Sequence, residues 1–194
     1  MQETKGHIAL LLELNLAVFL ISTSGVLGRY IEMFPPVTIW WRCFFAAIFL
    51  GLFCWQQKIS LSFHTKRDFL PISLAGLLLG GHWITYFFSL QYSTVAIGML
   101  SLFTFPVMTA FLEPILLKTK FKPSHIILAL MVMGGIYLLA PSFDISNNYS
   151  LGIIFGLVSA FCYALRNILL KKRTHTYSGS ALMFFQLVVI TLVL

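Results

Sequence analysis

Two carboxylates, Glu13 and Glu113, stand inside long apolar runs. An ionisable group at the centre of a membrane helix costs about 2.5–3.5 kcal/mol on insertion scales, so each needs a reason to be there. Glu113 lies five residues before Lys118, about 7 Å inside the end of its run at about 1.5 Å per residue. Glu13 is similarly shallow. Each reads either as a proton-linked or gating carboxylate or as an interfacial acid paired with a neighbouring Lys. Facing one cavity, the two would share a proton. Arg42 sits six residues after Pro36, about 9 Å into its run. It either snorkels to the interface or recognises an anionic group on a substrate. Arg166, five residues before Lys171, reads as a snorkelling interface residue. His82 and Trp83 follow Gly80-Gly81, and Tyr86 comes one turn after His82. Ser101 and Thr104 share a helix face at i, i+3, with Met108 one turn further on. Aromatic faces and hydroxyl donors together suit the wall of a small-molecule cavity. Singly, an aromatic residue can belong to an interfacial belt, and a hydroxyl can bond its own helix.

Other chemistries lack their residues. No GxxxxGK[ST] loop is present for ATP, no HExxH for zinc and no GxSxG elbow for a hydrolase. Cys43, Cys54 and Cys162 lie within apolar runs without CxxC spacing, which favours small packing residues over disulfides or metal ligands. The expectation is no enzyme activity, no metal and no cofactor.

The elements that must position these residues follow from composition. In 194 residues, 59% are hydrophobic and 10% charged, against roughly 25% charged in soluble domains. Six acids and thirteen bases cannot cover a globule of this size in water. The chain reads as a polytopic membrane protein. A span takes about 20 apolar residues. Six segments qualify: residues 8–28, 37–55, 69–90, 95–117, 126–140 with its flanks, and 151–170. Pro35-Pro36, Lys66-Arg67-Asp68, residues 118–123 and a polar turn at 141–150 separate them. The connection at 91–94 is short enough to force a tight antiparallel hairpin. Pro106 removes a backbone hydrogen bond inside the fourth span and predicts a kink. A seventh run, residues 181–194, reaches only about 21 Å. It reads as a helix cut short, within part of a longer protein.

Orientation follows from the bases. Lys5; Lys58, Lys66 and Arg67; Lys118, Lys120 and Lys122; and Lys171, Lys172 and Arg173 occupy alternate connections, with Arg29 alone on the other side. The N-terminus is expected in the cytoplasm of a bacterial inner membrane, with no convincing cleavable signal peptide. The net charge of +7 is thereby explained without nucleic acid.

Residues 14–31 can be laid beside 156–173, and the same offset places 36–42 beside 180–186. Five spans separate the copies, so the second would be inverted, as in many transporters. Gly152, Gly156, Ala160 and Ala164 form a fourfold-spaced small-residue stripe that lets helices approach closely or slide, an idea repeated by Gly76 and Gly80 and by Gly134-Gly135. The stretches LSLFTFPVMTAFLEPILL, MGGIYLLAP and LGIIFGLVSAFCYAL, with the segment from Pro36 to Arg42, resemble in order the EamA-type proteins of the drug/metabolite transporter superfamily. The resemblance covers nearly the whole chain. It implies an all-α transmembrane helix bundle of inverted five-helix repeats, with the first at 1–141 and the start of a second at 150–194.

It also implies a permease or exporter for a small organic metabolite or drug-like solute, working by alternating access. The expected partners are that solute and the lipid bilayer, with a homodimer allowed. The sequence leaves open two rivals: an intramembrane enzyme on lipid or prenyl substrates, disfavoured by the scarcity of paired acids, and a non-transporting membrane subunit.

Overall fold

Proline at the start of a helix removes an N–H that has no intrahelical partner there. Pro35 takes that place in helix α2 (Pro35–Gln56), where Val37 and Thr38 N–H both reach the Phe34 carbonyl. It follows α1 (Gln2–Tyr30) and precedes α3 (Phe69–Tyr92), α4 (Val95–Leu102), α5 (Phe105–Leu117), α6 (Ser124–Leu139), α7 (Asn148–Leu170) and α8 (Gly179–Val193). This computed structural model describes residues 2–118, 120–121, 124–139 and 148–194, all of them helix or connection without a strand. The Lys5 and Arg29 side chains, Lys122, Pro123 and residues 140–147 lie outside that description.

Two compact units emerge, Met1–Glu32 and Met33–Leu194. The first is the single helix α1. Asn15, Ser22 and Thr23 each bond a carbonyl of their own helix, at 2.7 Å in every case, so these polar groups need no outside partner. The second unit is a helix bundle. Its central pair is α3 and α7, with α8 against α2 and α3, and α4 and α5 against α7.

Five helical stretches are long and apolar enough to cross a bilayer: Leu10–Gly28, Pro35–Gln56, Lys66–Tyr92, Val95–Leu117 and Asn148–Leu170. The fifth expected span, 126–140, corresponds to α6, which has 16 described residues and ends where the description does; α8 has 15. The polar turn expected at 141–150 is shorter at its far end than the sequence suggested. Asn148, Tyr149 and Ser150 already belong to the first turn of α7.

The fourth span breaks where a kink was expected. Phe103 and Thr104 form a turn between α4 and α5, and Pro106 falls in the first turn of the second piece. Pro106 has no N–H for the Leu102 carbonyl and disfavours a helical Phe105 before it. The turn is closed instead by Thr104 N–H on the Ser101 carbonyl at 3.3 Å and by Thr104 Oγ1 on the same oxygen at 2.7 Å.

Small residues set how closely the helices approach. A Cβ on Gly152 would run into Ser93 Cβ and stand 2.6 Å from its Oγ; one on Gly156 would run into Ser101 Cβ. The stripe therefore faces α3 and α4, with Ala160 and Ala164 fully buried beyond it. Gly76 and Gly80 serve a different contact, lying under Gln186, Val189 and Ile190 of α8. The Gly134-Gly135 pair makes no such approach among the described residues: nothing lies within 4 Å of a Cβ at 134, and Leu100 is 4.0 Å from one at 135. The short α3–α4 link is confirmed, with Gly98 against Leu90 and Thr94 Oγ1 capping Ile97 N–H at 3.2 Å.

Candidate functional site

Where α3 crosses α7, the small stripe gives way to polar side chains on the same face. Ser159, Tyr163 and Arg166 follow Gly156 at steps of three, four and three residues, which keeps them in line on a helix. Opposite them α3 presents His82, Tyr86 and Ser89, all buried. His82 Nδ1 lies 2.7 Å from Ser159 Oγ, and Ser159 Oγ lies 2.9 Å from the His82 carbonyl. A hydroxyl has one hydrogen. With that hydrogen on the carbonyl, the short contact must be Nδ1–H donating to Oγ, and Nε2 is left as the ring's acceptor.

The imidazole lies 4.7 Å from the Tyr163 ring and 6.3 Å from the Tyr86 ring. Tyr86 donates its hydroxyl to Met99 Sδ at 2.8 Å, tying α3 to α4. Phe105 meets Tyr163 edge-on at 4.7 Å. Higher on α3, Ser89 Oγ donates to the Gly152 carbonyl at 2.6 Å. That bond reaches a helix backbone only because Gly152 carries no side chain.

Two guanidinium groups flank this seam. Arg42 of α2 is exposed, with its charge 5.2 Å from the Phe87 ring and 6.0 Å from the Trp83 ring. Arg166 is half-buried and turned into the bundle. Its Nε donates to Gln186 Oε1 of α8 at 2.8 Å and its Nη1 to Asn167 Oδ1 at 3.0 Å, while its charge lies 5.9 Å from the Tyr163 ring. Gln186 is fully buried and also donates to the Leu182 carbonyl at 2.7 Å. The snorkelling expected of Arg166 is thus replaced by an inward bond, because α8 offers an amide at reach.

Of the residues singled out in the sequence, His82, Trp83, Tyr86 and Arg42 share this region. Ser101 lies at the Ser89 end of it, fully buried against Gly156, and its hydroxyl has no hydrogen-bond partner among the described residues. Thr104 spends its hydroxyl on the turn before α5. Glu13 is exposed on α1, in the other unit. Glu113 forms an ion pair with Lys171, at the far end of α7. Pairing with a neighbouring Lys was one of the two readings of Glu113; the Lys that pairs with it comes from the end of α7, 58 residues on.

Beside that pair lies a second connection that sequence reading missed. Asp68 Oδ1, at the start of α3, is 3.4 Å from Arg173 Nε just after α7. Tyr177 donates to Asp68 Oδ2 at 3.0 Å and accepts the His64 N–H at 2.9 Å. Arg173 is also anchored by Nη1 on the Leu169 carbonyl at 2.8 Å. Ile72, Ala75, Leu170, Tyr177 and Leu182 pack into one apolar cluster around this network. The signal in the sequence was the charge sign: Asp68 is the single acid within a basic connection.

Ser159 is the hinge of the seam's hydrogen bonding. Replacing it with alanine should lower the unfolding temperature of the detergent-solubilised protein, with a loss of about 1–2 kcal/mol for two bonds in a membrane protein. Threonine, which keeps the hydroxyl, should recover part of it. Circular dichroism on heating measures both.

Comparison with known proteins gives this arrangement its context. The chain is 25% identical, over 205 aligned positions and 98% of its length, to the uncharacterized inner membrane transporter YhbE of Escherichia coli K12. The proteins of the same name from E. coli O157:H7 and Shigella flexneri match to the same extent. The chain spans 62% of the length of these relatives. No solved structure matches it significantly. The family model for EamA-like transporters matches residues 8–140, more than half of the chain. This all-helical membrane protein belongs to the EamA-like transporter family.

Proposed function

We propose that the protein is a secondary transporter that carries a small organic solute across the cytoplasmic membrane by alternating access. The observation that carries the reading is the polar seam between α3 and α7. It joins a helix of the proposed first repeat, 1–141, to the opening helix of the proposed second, 150–194. Polar bonds inside spanning helices are costly to arrange and mark the paths of solutes and ions. His82 Nε2, Trp83, Tyr86 and Arg42 are the groups we assign to the solute, with Ser101 and Thr104 shaping α4 behind them.

The basic connections support a cytoplasmic N-terminus. The Asp68–Arg173 and Glu113–Lys171 pairs then lie at the cytoplasmic end, where they hold the proposed repeats together. Breaking them is the first step of opening inward. Glu113 is the group we assign to proton coupling, since releasing Lys171 leaves a carboxylate able to take a proton. The reading gives the chain no catalytic step.

The test uses the full-length protein in sealed proteoliposomes with a panel of small organic solutes. Flux of at least one solute above empty vesicles is expected, with at least a tenfold loss on collapsing the proton gradient. Glu113→Gln should transport at a rate insensitive to the uncoupler. No solute flux in vesicles that hold folded protein would defeat the reading, and full sensitivity in Glu113→Gln would remove Glu113 from coupling.

A further inference from the structure

We propose that Arg166 docks an anionic oxygen group, a carboxylate or a phosphate, carried by the transported solute; this rests on the transport reading above. The argument is a balance of charge. The chain has six acids, Glu3, Glu13, Glu32, Asp68, Glu113 and Asp144. In the second unit the described ones are Asp68 and Glu113, and both are engaged at the end of the bundle, by Arg173 and Lys171. Neither forms an ion pair with Arg166. The polar partners of Arg166 are two neutral amides, Gln186 and Asn167. A guanidinium keeps its charge in any protein setting. Among the described residues of this unit, a fixed positive charge inside a spanning helix therefore stands without a carboxylate.

Geometry adds direction. Gln186 and Asn167 take Nε and Nη1, which fixes the plane of the guanidinium and leaves Nη2 without a protein partner among the described residues. Gln186 is itself held by the Leu182 carbonyl and is fully buried, so the plane is set before any ligand arrives. A prepositioned guanidinium edge suits an oxyanion, which accepts parallel N–H bonds. The Tyr163 ring lies beside it, with the Phe105 and His82 rings packed against Tyr163, and these rings would cover the solute's uncharged part. The repeat offset that lays 36–42 beside 180–186 sets Arg42 against Gln186. The residue that orients one guanidinium thus occupies the place that carries the other in the first copy.

The experiment measures binding at equilibrium, with no gradient, so that it fails separately from transport. Full-length protein in phosphatidylcholine nanodiscs is heated with increasing malonate or inorganic phosphate, against chloride at equal ionic strength. A saturable rise in unfolding temperature is expected with at least one of the two, since a ligand bound only by the folded state stabilises it. Arg166→Gln should abolish the rise and Arg166→Lys should keep part of it. Gln186→Glu, which supplies an internal counter-charge, should weaken the apparent affinity at least tenfold and remains informative if Arg166→Gln does not fold. No saturable rise with either anion, or an unchanged rise in Arg166→Gln or Gln186→Glu, overturns the proposal. Repeating the scan in phosphatidylglycerol separates the sources: stabilisation by that lipid through Arg166, with no response to malonate or phosphate, assigns the site to a headgroup and overturns the solute reading.

Discussion

Valine at position 152 is expected to separate α3 from α7 and to leave little folded protein. The added Cβ alone would overlap Ser93, and it would stand 3.2 Å from the Ser89 carbonyl, which belongs to a helix backbone and cannot turn aside. Overpacking a close-fitted contact costs typically about 1–3 kcal/mol. Here the displaced helices would also lose the Ser89–Gly152 bond and strain the His82–Ser159 pair, because all three contacts lie along one helix face. The expected loss is at the upper end of that range. Gly134→Val is the control, since no described residue lies within 4 Å of a Cβ there and α6 should accept the change with an effect below about 0.5 kcal/mol. Size-exclusion chromatography and thermal unfolding of the two variants decide the matter; equal stability for both would show that the α3–α7 approach is not set by Gly152.

Removing the Asp68 carboxylate should open the end of the bundle that we propose to be cytoplasmic. Asp68→Asn keeps the shape but loses the ion pair with Arg173 and turns the Tyr177 contact into a neutral one. Hydrogen bonds to charged groups contribute about 1.5–3 kcal/mol, and the partial exposure of this pair argues for the lower end. A loss near 1.4 kcal/mol corresponds to about a tenfold shift in population toward the open form. Cys162 reports on it. Its sulfur lies 3.8 Å from where a Gly81 Cβ would sit, at the edge of the α3–α7 contact, so the half-buried thiol is partly shielded while that contact holds. With Cys43 and Cys54 replaced by alanine, a water-soluble maleimide added from the side that carries the Asp68–Arg173 pair should label Cys162 about ten times faster in Asp68→Asn than in the parent. Exchanging the charges, Asp68→Arg with Arg173→Asp, should restore slow labelling. Unchanged labelling in the single variant would mean that the apolar cluster around Ile72 and Leu182 closes this end without help.

How much of this could be read from residues alone depended on the range of the interaction. Spans and breaks are local matters of hydropathy, proline and charge, so α2, α3 and α7 fall close to their expected limits. The polar turn at 141–150 was drawn too long because Asn148 and Ser150 look like loop residues, whereas such residues also serve at helix starts. The fourfold stripe on α7 showed that something would pack closely there. It did not show what, and the answer, Ser93 and Ser101, rests on the register between helices far apart in sequence. The same holds for the site. His82 and Tyr86 stood out as polar groups among apolar ones, yet Ser159, Tyr163 and Gln186 gain meaning only through what faces them. Arg166 illustrates the limit: five residues from a basic end it looks like an interface anchor, and one amide on α8 turns it inward.

The wide sequence separation of the central contact has a consequence for biogenesis. His82 and Ser159 are 77 residues apart, and Ser89 and Gly152 are 63 apart. At synthesis rates of about 5–20 residues per second, α3 leaves the ribosome roughly 4–15 seconds before α7 can meet it. Throughout that interval the nascent helix holds an imidazole and a serine hydroxyl toward lipid or the insertion machinery. Retention of α3 beside the translocon, or shelter by a membrane chaperone, would bridge the delay until its mate emerges.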